Sequence, residues 1–99
     1  MTFVTTQPEL LTAAANQLQG IGTALNGQNE AAAAPTTGVI PAAADEVSAL
    51  TAALFANHAQ TYQAVSAQAA AMHEMFVRIL SASAGSYATT EAANAVAAL

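Results

Sequence analysis

One segment governs what this chain can fold into. Pro35-Thr-Thr-Gly-Val-Ile-Pro41 places two prolines and a glycine within seven residues, between two long stretches that have no comparable interruption. Proline lacks the N–H that a helix needs and restricts the residue before it, so a helix stops or turns here. On both sides the chain is rich in Ala, Leu, Gln and Met, which are good helix formers, while β-branched runs gather at the N-terminus and in the loop itself. The sequence therefore predicts an all-α fold, an antiparallel two-helix hairpin in a single domain over residues 1–99. Helix 1 is expected at about 7–34, the loop at 35–41, helix 2 at about 42–84 and a weakly patterned tail at 85–99.

Local signals set these limits. Thr6 followed three residues later by Glu9 reads as a capping box, with Pro8 in the first turn, where its missing N–H has no intrahelical partner to lose. Asp45 and Glu46 suit the positive end of a second helix, and Gly85 reads as its stop. Along helix 1 the large apolar side chains are Leu11, Leu18, Ile21 and Leu25, with Ala14 and Ala32 in register. Gly20, Gly22 and Gly27 interrupt it at a cost of about 1 kcal/mol each relative to alanine, which points to something approaching the backbone closely. Helix 2 carries a heptad-like seam of Val47, Leu50, Leu54, His58, Tyr62, Val65, Ala69, Met72, Phe76 and Ile79, widened by Phe55, Met75 and Leu80.

Two helices share one interface, so each hides one stripe and shows its other side to water or to a partner. Charged residues are only 7% of this chain, against roughly 25% in an average soluble domain. Six large apolar side chains left in water would forfeit about 10 kcal/mol, at roughly 1.5–3 kcal/mol each. That rivals the stability of a whole domain. The hairpin alone should therefore be marginal, and an obligate complex follows. Lacking the charges that usually select a coiled-coil partner, it must be recognised by shape.

Composition closes other routes. Without cysteine there is no disulfide framework, thiolate metal site or thiol chemistry. One arginine, no lysine and a net charge of −5 leave nothing to neutralise phosphates, so nucleic acid is not an expected partner. Met1 to Leu11 holds no basic residue, unlike a Sec-type signal peptide, and the charge-free stretch Val47 to His73 is too polar for a transmembrane helix. His58 and His73 would sit about 22 Å apart on one helix, too far to share a metal ion. Either reads best as a seam or interface histidine, and no cofactor is expected. Glu74 and Arg78 read as a solvated i, i+4 pair, with a partner's carboxylate as the alternative for Arg78. No two of the six carboxylates are spaced as acid and base, and no nucleophile motif is present, so an enzyme is not expected. Tyr87 and Glu91, four residues apart, share a face if helical.

Pro8-Glu9 near the start, the alanine-rich hairpin and Tyr87-Ala-Thr-Thr-Glu91 together resemble the mycobacterial PE family. The resemblance covers essentially the whole chain and extends to Met1-Thr-Phe-Val-Thr-Thr-Gln-Pro-Glu-Leu10, to Ala34-Pro-Thr-Thr-Gly-Val-Ile-Pro-Ala-Ala-Ala-Asp-Glu-Val-Ser48 and to Gly85-Ser-Tyr-Ala-Thr-Thr-Glu91. It is similar to a short member, without a long glycine-rich or enzymatic extension. The resemblance implies a one-to-one heterodimer with a PPE-family protein, the hairpin completing a four-helix bundle. An EspG-type chaperone would act indirectly, through the PPE subunit. It also implies export by a type VII (ESX) secretion system, with Tyr87 and Glu91 as the Tyr-x-x-x-Asp/Glu signal. The protein would be cytosolic before export and extracellular, or at the cell envelope or surface, afterwards. Leu11, Leu18, Ile21, Leu25, Val47, Leu50, Leu54, Phe55, Tyr62, Val65, Met72 and Phe76 are the expected intra-hairpin and partner-facing residues, without a division between the two roles. The rival reading is a homo-oligomeric or PE/PPE envelope component involved in small-solute permeability.

Overall fold

The computed structural model describes residues 4–99; Met1, Thr2 and Phe3, the start of the Met1–Leu10 segment quoted above, lie outside the described residues. Two α-helices make up the fold: α1, Pro8–Thr37, and α2, Glu46–Ala97. No strand occurs among the described residues. The helices pair in two compact units, one joining α1 up to Ile21 with α2 from His73 onward, the other running from Gly22 to Met72. In the first, Thr6 meets Glu91 and Leu18 meets His73, so the partners run antiparallel. In the second, the chain turns between Thr37 and Glu46, and Asn29 meets Tyr62 and Gln63. The fold is thus the all-α, antiparallel hairpin that the sequence predicts.

The helix limits differ from those expected, each for a local reason. α1 does not stop before Pro35 but continues to Thr37. Proline leaves one carbonyl without its N–H partner, and the two threonines that follow reinforce this turn. Thr36 Oγ1 donates to the Ala32 carbonyl at 2.6 Å and Thr37 Oγ1 to the Ala33 carbonyl at 2.7 Å. The Gly38 N–H closes the helix on the Ala34 carbonyl at 3.1 Å. α2 starts at Glu46 rather than near 42, because Asp45 is the cap. Its Oδ1 accepts from Ser48 N–H at 2.7 Å and its Oδ2 from the Ser48 hydroxyl at 3.0 Å. These bonds hold the Asp45 carboxyl below its ordinary value of 3.8, the Ser48 N–H contributing most.

Gly85 is no stop. α2 passes through it without a positive φ, and the tail expected at 85–99 is helical as far as Ala97. One glycine costs about 1 kcal/mol, and here it is followed by alanine-rich sequence with no proline to end the helix. The hydroxyls of Thr89 and Thr90 bond back to the carbonyls of Gly85 and Ser86, both at 3.0 Å.

Alanine forms the core. The buried apolar residues are Ala15, Ala52, Ala59 and Ala84, and no large side chain is fully buried among the described residues. Besides Ser48, Ser83 and Glu91, the buried and half-buried positions on α2 are Ala52, Ala56, Ala59, Gln63, Ser66, Ala70, His73, Val77, Leu80 and Ala84. Their steps alternate four, three, four, three without a break, the spacing of a packed helical seam. Leu80 therefore belongs to this seam and not to the large apolar stripe beside which the sequence pattern set it.

Candidate functional site

Opposite this seam lies the feature that distinguishes the molecule. Val47, Leu50, Leu54, Val65, Met72, Phe76 and Ile79 recur at helical spacing along α2 and are all exposed, Met72 to 70% and Phe76 to 54%. Phe55 and Met75, on its flanks, are exposed to 62% and 54%. The stripe that the sequence pattern marks without dividing it between hairpin and partner is thus the outer face, and the helix–helix contact uses residues about half a turn away. Hydropathy marks a surface to be buried but does not say against what. Alanine and serine at the seam let two backbones come close, which large side chains would prevent.

The sequence-predicted interface residues divide along this line. Leu11 and Leu18 are half-buried, on the same part of α1 as buried Ala15. Ile21 and Leu25 of α1 are exposed, as are Val47, Leu50, Leu54, Phe55, Val65, Met72 and Phe76 of α2. Tyr62 sits between the two classes, its ring half-exposed while its hydroxyl donates to Asn29 Oδ1 at 2.7 Å. Pro8 is half-buried at the start of α1, and Glu9 is exposed in its first turn. The expected close approach to helix 1 glycines is not made within the chain at Gly20 or Gly27, where an added Cβ would meet nothing within 4 Å.

Polar ties join the helices, one of them at His73, which the sequence reads as a seam or interface histidine. Gln63 Nε2 donates to the Asn29 carbonyl at 3.0 Å, beside the Tyr62 bond. His73 Nε2, in the tautomer that carries a hydrogen there, donates to the Leu18 carbonyl at 2.6 Å. His58 is exposed, away from the seam. The longest-range tie is at the carboxyl end: Glu91 Oε1 accepts from Thr6 N–H at 2.7 Å and from Thr6 Oγ1 at 2.9 Å. The Thr6 hydroxyl, expected to cap helix 1 through Glu9, is engaged with the other helix, and Gln7 takes the capping position, its carbonyl accepting from Leu10 N–H at 3.0 Å. Tyr87, one turn before Glu91, is half-exposed on an open face with Ile79, Ser83, Ser86 and Thr90.

Among the described residues, no three His, Cys, Asp or Glu side chains could hold a metal ion together, and no helix is long and apolar enough to cross a membrane. The chain exposes 7463 Å², where a compact monomer of this mass exposes about 5200 Å². The described residues thus form two helices that meet through alanine and leave a face of large apolar side chains exposed.

Comparison with known proteins places it more narrowly. The model of the PE family matches residues 4–94. Over 98 residues the chain is 64% identical to the PE family protein PE13 of Mycobacterium tuberculosis, covering 99% of each. It is 60% identical to PE8 of the same organism over 98 residues, spanning 36% of that protein, and 63% identical to PE_PGRS33 over 95 residues, spanning 20%. The chain belongs to the PE family.

Proposed function

We propose that this protein is a non-enzymatic adaptor that forms an obligate one-to-one heterodimer with a PPE-family protein and leaves the cell through a type VII (ESX) secretion system. The observation that carries the reading is the separation of the two faces of α2. The hairpin satisfies its own pairing with alanines, serines and polar ties, and holds its large apolar side chains in reserve. Its surface exceeds that of a compact monomer by about 2,300 Å², enough for one side of an obligate interface, which buries about 2,000 Å² or more counted over both partners. The outer face of α2, with Ile21 and Leu25 of α1, is the surface that a second pair of helices would cover in a four-helix bundle. Tyr87 and Glu91 serve as the export motif. An EspG-type chaperone acts through the PPE subunit, and the exported complex resides outside the cell or at its envelope.

The test is mass in solution, by size exclusion with light scattering, for the chain expressed alone and with its PPE partner. Expressed alone it is expected to be insoluble or polydisperse, and with the partner a helical one-to-one complex. A stable homo-oligomer that ignores the PPE chain would overturn the reading in favour of a self-assembled bundle.

A further inference from the structure

The two side chains assigned to export are not presented alike. Tyr87 stands half-exposed, with Ile79, Ser83, Ser86 and Thr90 around it. Glu91 is half-buried, and its Oε1 is taken by both donors of Thr6, at 2.7 and 2.9 Å. Hydrogen bonds to an ionised acceptor are the stronger kind, so a protein seeking this oxygen would first have to break two of them. Thr6 lies two residues before the first helical residue of α1, where unpaired N–H groups and the helix dipole favour a negative charge. Glu91 supplies that charge from 85 residues away.

The position of Glu91 along α2 gives the bond its consequence. Beyond Ala84, every described residue of the chain is exposed except Glu91. It is the last point at which this end of α2 is held, and Tyr87 lies between the two anchors. Helix ends with few buried contacts open at little cost in free energy, so loss of this tie would free the turn that bears Tyr87.

We propose that Glu91 is a positioning residue: its carboxylate anchors Thr6, and with it the start of α1, to the carboxyl end of α2, and it acts in export through Thr6, while Tyr87 makes the contact with the export machinery. The inference rests on the reading of Tyr87 and Glu91 as an export motif.

The experiment uses the full chain with its PPE partner in a secreting host, with two readouts: the fraction exported, and hydrogen exchange at the Thr6 amide in the purified complex. Glu91→Gln keeps an oxygen that can accept from both Thr6 donors but loses the charge, so export and Thr6 protection fall by a small factor, far less than in Glu91→Ala. Glu91→Ala removes the acceptor, and Thr6 exchange rises on the order of tenfold while export collapses. Thr6→Val deletes the hydroxyl donor alone and lowers export in the same direction by a smaller factor. The proposal is overturned if Glu91→Ala leaves Thr6 exchange unchanged. It is equally overturned if Glu91→Gln is retained in the cell while Thr6→Val is exported normally, for then the charge itself is what the machinery reads. Tyr87→Ala separates the two levels: its normal export would sink the export reading, whereas its retention beside either overturning result would sink only the anchoring role.

Discussion

The two faces of α2 obey opposite rules. The inner face, from Ala52 to Ala84, is mostly small or polar, with Val77 and Leu80 as its larger aliphatic side chains, and it is where the hairpin closes. The outer face, from Val47 to Ile79, carries the large aliphatic and aromatic side chains, and it stays in solvent. In a self-sufficient hairpin these contents would be exchanged, since burial of large apolar groups supplies most of the stability of a domain. What the difference teaches is a division of labour. Close packing and hydrogen bonds set how the two helices align, while the large apolar side chains stay exposed, and under the proposed function that surface is what another chain covers.

The comparison breaks most sharply with one charge on the outer face. Phe76→Asp should abolish the heterodimer, because docking would bury an unpaired carboxylate among apolar groups. Co-purification with the PPE chain reads this directly, and full yield of complex would show that this face is not the one covered. Since Phe76 is exposed within the hairpin, the seam itself should be untouched.

A second substitution probes the opposite face. Ala15, only 1% exposed, has no room for a larger side chain, so Ala15→Leu should cost about 1–3 kcal/mol by overpacking. Thermal unfolding of the complex, followed by circular dichroism, measures the loss. The same change at exposed Ala53 should leave the melting temperature nearly unmoved. If both positions responded alike, the seam would be wrongly drawn.

The smallest effect concerns the cap that starts α2. The carboxyl of Asp45 is held below its ordinary value of 3.8, chiefly by the Ser48 N–H and then by the Ser48 hydroxyl. A carboxyl depressed in the folded state contributes stability that is fully present above 3.8 and is lost as pH falls through the lowered value. Hydrogen exchange at the Ser48 and Ala49 amides should therefore gain relative to the rest of α2 in that acid window. In Asp45→Ala the pH dependence should vanish, with the first turn frayed throughout. An unchanged profile in this variant would assign the effect to another group.

Legibility followed the range of the interaction concerned. The number of helices, their order and the turn between them could be read from Pro35 to Pro41, because proline and glycine act on their own backbone. The start of α2 was nearly legible, since Asp45 and Ser48 are three residues apart. The stop expected at Gly85 was not real. Its modest backbone penalty is outweighed by alanine-rich flanks and threonine bonds, and the anchored Glu91 adds a tertiary tie. The true seam was also illegible. With 29 alanines in 99 residues, a small-residue stripe of regular spacing does not stand out, and the large residues draw attention to the other face.

By itself, then, the sequence determined an all-helical chain of two long elements, short of charge and carrying more apolar side chain than two helices can hide. Those properties come from local backbone preferences and from composition, which need no knowledge of what meets what. Only the tertiary structure decided which face of α2 meets α1, that Asn29 receives Tyr62 and Gln63, and that Thr6 is held by Glu91 rather than by its own helix. Each of these joins residues at least 33 positions apart, and at that separation packing geometry, not the order of residues, selects the partner.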